Sequence, residues 1–229
     1  MTDFPFDAVG FDLDGTLLDT HRDLGEAVNH ALCEGGFEPV ATDRIEALIG
    51  GGAKIMLQRA IADQGGLSDE EFRPLYKSLL RYYGENNAVH TRPYPGAEEA
   101  LDQLASRGVT MAVVTNKFEG FARDILTQLN LIDRFATVIG GDSLGKDADG
   151  QYIAKPAPDP VLKAREACGG GRFVFIGDSS YDVDAARAAE VPVVAAAYGY
   201  CDKPADELGA DAIARSFAEI VPLLERWGD

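Results

Sequence analysis

One apolar run that stops at a cluster of acids, followed by a long stretch with no strand in it, constrains this chain most. Ala8-Val9-Gly10-Phe11 leads straight into Asp12-Leu13-Asp14-Gly15-Thr16. An apolar run this short reads as a buried strand. From about residue 20 to about residue 90 the periodicity is helical instead. Leu24, Ala27, Val28, Ala31 and Leu32 follow helical spacing, and so do Ile45, Leu48 and Ile49. Ser68 with Glu71 makes a capping-box pattern ahead of Phe72, Leu75 and Leu79. Pro74, inside that run, either kinks the helix or marks its start. The partners of the first strand must therefore come after the helical block.

They do. Val109–Val114, Ala136–Ile139, Phe173–Ile176 and Val193–Ala196 read as strands, and Ala97–Arg107, Phe118–Leu129 and Val183–Ala189 as helices. Asp159-Pro160 is a helix start with proline at the first helical position. Strands that alternate with helices imply a parallel, doubly wound α/β sheet. The simplest organisation is an α/β core of residues 1–19 and 92–229, with residues 20–91 inserted after the first strand as an α-helical cap. Hydrophobic residues make up 46% of the 229, enough for a sizeable buried core.

The formal net charge is -17, which disfavours nucleic acid and anionic membranes as partners. It also means that an anionic substrate needs a local reversal of the protein's field. Cys33, Cys168 and Cys201 are sparse and form no CxxC pair, as expected for free thiols in a reducing compartment. No leader or membrane-span pattern is read, so the expected location is cytoplasmic and the expected state a monomer or small homo-oligomer. His21, His30 and His90 form no ligand-spaced set.

In open α/β sheets, ligands bind beyond the carboxyl ends of the strands. The first strand ends in Asp12 and Asp14, the second in Thr115-Asn116, and the fourth in Gly177-Asp178 with Asp182 close behind. Lys155 lies in the loop before the helix that feeds that fourth strand. Close carboxylates repel unless a cation joins them, and oxygen ligands without His or Cys suit Mg²⁺. An Asp can attack phosphorus, and a second acid two residues on can exchange protons with the leaving oxygen and with water. Thr115, Asn116 and Lys155 suit a phosphoryl group, and Gly15 lets the turn tighten beneath it. The bland alternatives are a turn for Asp12 and Asp14, a helix cap for Asn116 and a first-turn acid for Asp182.

Asp12-Leu13-Asp14-Gly15-Thr16-Leu17, Thr115-Asn116, Lys155-Pro156 and Gly177-Asp178-Ser179 with Asp182 resemble, in order, the four motifs of the haloacid dehalogenase (HAD) superfamily. The resemblance implies that Asp12 is the nucleophile and a Mg²⁺ ligand. It makes Asp14 the general acid/base, with its backbone carbonyl on the metal, and Asp178 a direct ligand. Thr115 and Asn116 would bind phosphate, Lys155 would stabilise the nucleophile and the phosphoryl group, and Asp182 would orient Lys155 or the metal's waters.

Within the superfamily the chain is most similar to phosphoglycolate phosphatases. Asp19-Thr20-His21-Arg22-Asp23-Leu24, the loop Ile49-Gly50-Gly51-Gly52-Ala53 and Arg92-Pro93-Tyr94-Pro95-Gly96 carry that likeness. It implies a small phosphorylated metabolite as substrate, with Gly51 and Gly52 as a cap loop that touches it. Sugar-phosphate phosphatases, pyrophosphatases and phosphomutases share much of the pattern. A mutase is expected to carry a cap His about twelve residues after the nucleophile, where this chain has Leu24. A phospho-receiver signalling module, the alternative of another class, carries no large insert.

Overall fold

The computed structural model describes residues 4–227. Six parallel strands make one sheet: β1 (Ala8–Phe11), β2 (Thr110–Val114), β3 (Thr137–Ile139), β4 (Phe173–Gly177), β5 (Val193–Ala196) and β6 (Ala212–Ala214). Their spatial order is β3-β2-β1-β4-β5-β6, with every pair parallel. This is the doubly wound order, in which the winding reverses between β1 and β4. Strands covered on both faces are apolar along their whole length, and β1, β4 and β5 are buried at every residue. The expected strand at residues 109–114 begins one residue later, and β6, half-exposed at the sheet edge, is an addition to the sequence reading.

The helices are α1 (His21–Glu34), α2 (Thr42–Ile45), α3 (Ala53–Ala62), α4 (Asp69–Asn86), α5 (Ala97–Ser106), α6 (Glu119–Gln128), α7 (Asp159–Ala167), α8 (Ser180–Ala188) and α9 (Ile220–Glu225). Two compact units result: Thr20–Arg92 is one, and the described residues up to Asp19 and from Pro93 onward are the other. The division falls one residue beyond the expected boundary at 91.

In the helical unit, α1 buries Leu24, Ala27, Val28, Ala31 and Leu32, and α4 buries Phe72, Leu75, Leu79 and Tyr83. The Ser68–Glu71 capping box starts α4, so Pro74 lies in its second turn and does not mark the start. Asp23 is buried and accepts hydrogen bonds from the backbone N–H groups of His90 and Thr91 and from Thr91 Oγ1. That carboxylate ties the two ends of the unit together. Among the described residues no helix is long and apolar enough to cross a membrane.

Candidate active site

The reversal of winding fixes where the chemistry sits. β1 and β4 are neighbours, and the chain beyond β1 is pinned to β4 by Asp12 N–H donating to Ile176 O at 2.8 Å. Asp12 and Asp178 therefore leave adjacent strands at the same edge. Gly15 turns the chain back at φ +82°, and a Cβ there would stand 2.3 Å from Asp178 Oδ2. A side chain at this position would meet both backbone strain and a carboxylate.

Lys155 comes to the same point from the loop before α7. Its ammonium donates to Val114 O at 2.8 Å and to Asp182 Oδ1 at 2.6 Å, and lies 2.8 Å from Asp12 Oδ1. Burial works against its charge, but Asp12 and Asp182 outweigh that and raise its pKa. The ammonium meets Asp12 Oδ1 at ion-pair distance, and no other donor among the described residues reaches that buried oxygen. Burial lifts the Asp12 carboxyl to about 7 against the pull of Lys155, with Asp182 and Asp14 adding repulsion. Asp178 is likewise raised, by burial first and then by Asp182 and Asp12.

Asp12, Asp178 and Asp182 place carboxylate oxygens within 4.8 Å of one another. Buried carboxylates this close repel one another, and such a cluster of oxygen ligands fits a hard cation. Asp182 is already engaged: its Oδ1 accepts from Lys155, and its Oδ2 accepts from Ser179 N–H and Oγ, closing the capping box that starts α8. That box places the helix start at Ser180, ahead of the expected Val183, because its first turn is polar.

Asp14 points elsewhere. Its Oδ2 lies 2.9 Å from Lys117 Nζ, in an ion pair whose lysine side chain is 5% exposed. Lys117 N–H donates to Thr115 Oγ1 at 3.2 Å, and Asn116 Nδ2 donates to Lys155 O at 2.9 Å. Asn116 does not cap α6; Asp142 Oδ1 accepts from Glu119 N–H there instead. Asn116 Oδ1 is buried without a hydrogen-bond partner.

The haloacid dehalogenase-like hydrolase family matches residues 9–196, which span this whole edge. The chain belongs to that family. It is 38% identical over 217 residues to the phosphoglycolate phosphatase of Agrobacterium fabrum, covering 93% of this chain and 90% of that protein. It is 36% identical over 220 residues to the phosphoglycolate phosphatase of Thiobacillus denitrificans, covering 94% of each. The crystal structure of a predicted phosphoglycolate phosphatase from Haemophilus somnus superposes with a TM-score of 0.85 at 32% identity, covering 95% of this chain and 97% of that one.

All the motif residues of this HAD-like hydrolase thus meet at one sheet edge: Asp12, Asp14, Gly15, Thr115, Asn116, Lys155, Asp178 and Asp182. Gly51 and Gly52 belong to the helical unit, in the turn before α3, at φ +74° and +91°. Three contributors escape the sequence reading. Lys117 follows Thr115-Asn116 directly, which is its only signal. Tyr200 N–H donates to Asp178 Oδ2 at 2.8 Å, and Tyr198 OH donates to Thr16 O at 3.0 Å. Both tyrosines come after β5, and reading the residues beyond that strand as well as the others finds them. Thr16 Oγ1, donating to Asp178 Oδ1 at 2.9 Å, fixes the other side of that carboxylate.

Proposed function

We propose that this HAD-like hydrolase is a Mg²⁺-dependent phosphatase of small phosphomonoesters, with 2-phosphoglycolate the foremost substrate, and that it works through an aspartyl-phosphate on Asp12. One observation carries the reading: Asp12 stands at the switch point with a buried oxygen that meets the Lys155 ammonium and no other donor, within a carboxylate cluster shared with Asp178. The likeness to phosphoglycolate phosphatases supplies the substrate.

A carboxylate oxygen of Asp12 attacks phosphorus in line, and the ester oxygen departs with a proton from Asp14. Asp14 then takes a proton from the water that attacks the acyl phosphate, which frees Asp12 and inorganic phosphate. Lys155, Thr115, Asn116 and the backbone around Gly15 hold the phosphoryl oxygens. Asp12, Asp178 and the backbone carbonyl of Asp14 would hold Mg²⁺, which supplies positive charge to carboxylates and phosphoryl oxygens that otherwise repel. Asp182 keeps Lys155 in place. Lys155, with a divalent ion beside it, also reverses the field of an acidic protein locally. Residues 20–91 act as the cap, with Gly51 and Gly52 toward the substrate, and set its size.

Phosphate release from a panel of phosphomonoesters, with Mg²⁺ or with EDTA, tests the reading. Mg²⁺-dependent release that favours 2-phosphoglycolate is expected. Preference for a sugar phosphate replaces the substrate, and no release from any ester by folded protein overturns the activity.

A further inference from the structure

Among the described residues the buried lysines are Lys117 and Lys155. Lys155 has three protons, and three acceptors already surround it: Val114 O, Asp182 Oδ1 and Asp12 Oδ1. Lys117 is placed differently. Its backbone is clamped on both sides, with its N–H on Thr115 Oγ1 at 3.2 Å and its carbonyl accepting from Gly141 N–H at 2.8 Å. Its ammonium is carried to Asp14 Oδ2 at 2.9 Å. None of the four motifs includes it.

Asp14 has to reach the ester oxygen of the substrate to protonate it. A cation that touches the Asp14 carboxylate therefore stands next to whatever the ester oxygen is attached to. In 2-phosphoglycolate that neighbour is a carbon bearing a carboxylate, which is within reach of any donor close to the ester oxygen. The extra negative charge of such a substrate needs a further cation on a chain whose net charge is -17. Lys117 is already desolvated, so exchanging the Asp14 carboxylate for the substrate's does not repeat the cost of removing the ammonium from water.

From this we infer that Lys117 is a specificity-determining residue that binds a carboxylate on the carbon next to the ester oxygen, and so selects 2-phosphooxy acids over phosphomonoesters of uncharged alcohols. The inference rests on the phosphatase reading of the same site. Binding of Lys117 to such a carboxylate also releases Asp14 from its ion pair at the moment the ester oxygen needs it.

The test uses two phosphonates that cannot be hydrolysed, 3-phosphonopropanoate and propylphosphonate, which differ in the carboxylate. Their dissociation constants are measured calorimetrically with Mg²⁺ for the wild type, Lys117→Met and Lys117→Arg, with Lys117→Gln replacing the Met variant if that does not fold. A charge-assisted hydrogen bond predicts a wild-type preference for 3-phosphonopropanoate of roughly ten- to a hundredfold. Lys117→Met loses that preference, and Lys117→Arg keeps part of it. A wild type without the preference, or a Lys117→Met that retains it, overturns the inference. Equal weakening of both ligands in Lys117→Met, with the ratio unchanged, also overturns it and leaves Lys117 as a support for Asp14. Failure of the phosphatase reading shows separately, as wild-type protein that releases no phosphate from 2-phosphoglycolate.

Discussion

Asp182 holds Lys155 with one carboxylate oxygen, at 2.6 Å, and holds the start of α8 with the other. One buried acid thus joins the ammonium of the site to a helix N-terminus. Its side chain is 0% exposed and that of Lys155 2%. Removing Asp182 takes from the buried Lys155 one of its two carboxylates and from α8 its cap, which is far costlier than losing a pair at the surface.

Asp182→Ala is therefore expected to destabilise the protein by about 3–5 kcal/mol, read as a lower midpoint of urea unfolding. Lys163→Ala breaks the exposed Lys163–Glu166 pair and is expected to change stability by less than about 1 kcal/mol. Equal effects of the two substitutions would contradict the buried role of Asp182.

The raised pKa of Asp12 gives a pH dependence with a definite sign. The folded protein holds a proton there up to about 7, whereas the reference value is 3.8. Between those values the folded state binds more protons than the unfolded one, so this group's contribution to stability falls as pH rises. In EDTA, Asp12→Asn should gain on the wild type as pH rises from about 4 to about 7, at up to about 1.36 kcal/mol per pH unit and a few kcal/mol in all, and the gap should level off above that. Comparing the two proteins by urea unfolding cancels the exposed acids, which are common to both. A gap that shrinks with rising pH would contradict the burial and repulsion assigned to Asp12.

Gly15 combines a φ of +82° with a forbidding neighbour: Asp178 Oδ2 lies 2.3 Å from the position a methyl would take there. Gly15→Ala should cost more than about 1 kcal/mol, because backbone strain adds to the clash. It should also reduce Mg²⁺-dependent phosphate release, since Asp178 has to move. Gly108, at φ +75° with open space around it, gives the control: Gly108→Ala should destabilise through strain and leave phosphate release intact. Loss of release in both variants would detach the effect from Asp178.

Mg²⁺ should raise the melting temperature of the wild type, by the equivalent of about 2.7 kcal/mol at a hundredfold excess over its dissociation constant. Asp178→Asn should lose most of that shift. An unchanged shift in Asp178→Asn would remove Asp178 from the metal site, and a wild type indifferent to Mg²⁺ would remove the site itself.

Much of this architecture is legible in the sequence because parallel strands buried on both faces leave short apolar runs. β1, β4 and β5 show them. Reading the residues directly beyond each strand brings Asp12, Thr115, Asn116 and Asp178 to one edge from the sequence alone. The edge strand β6 is not legible: it has three residues, two of them only partly buried, and no alternation to read. The start of α8 is hidden because Ser180, Tyr181 and Asp182 lack an apolar face, although Ser179 and Asp182 carry the cap. Lys117 is illegible for another reason. A buried lysine and a solvated one look alike until the partner, here Asp14, is known. The Tyr200 contact with Asp178 is made by a backbone N–H, which leaves no trace in the side-chain pattern.

Phosphorylation of Asp12 during turnover is the most direct thing to measure. The wild type would be mixed with 2-phosphoglycolate and Mg²⁺, quenched in acid during turnover and reduced with borohydride, which converts an acyl phosphate to an alcohol and an aspartyl-phosphate to homoserine. Peptide mass spectrometry then locates the change. Homoserine is expected at position 12, formed only when substrate and Mg²⁺ are both present. Phosphate release with no homoserine at position 12, or with homoserine at another aspartate, would contradict Asp12 as the nucleophile.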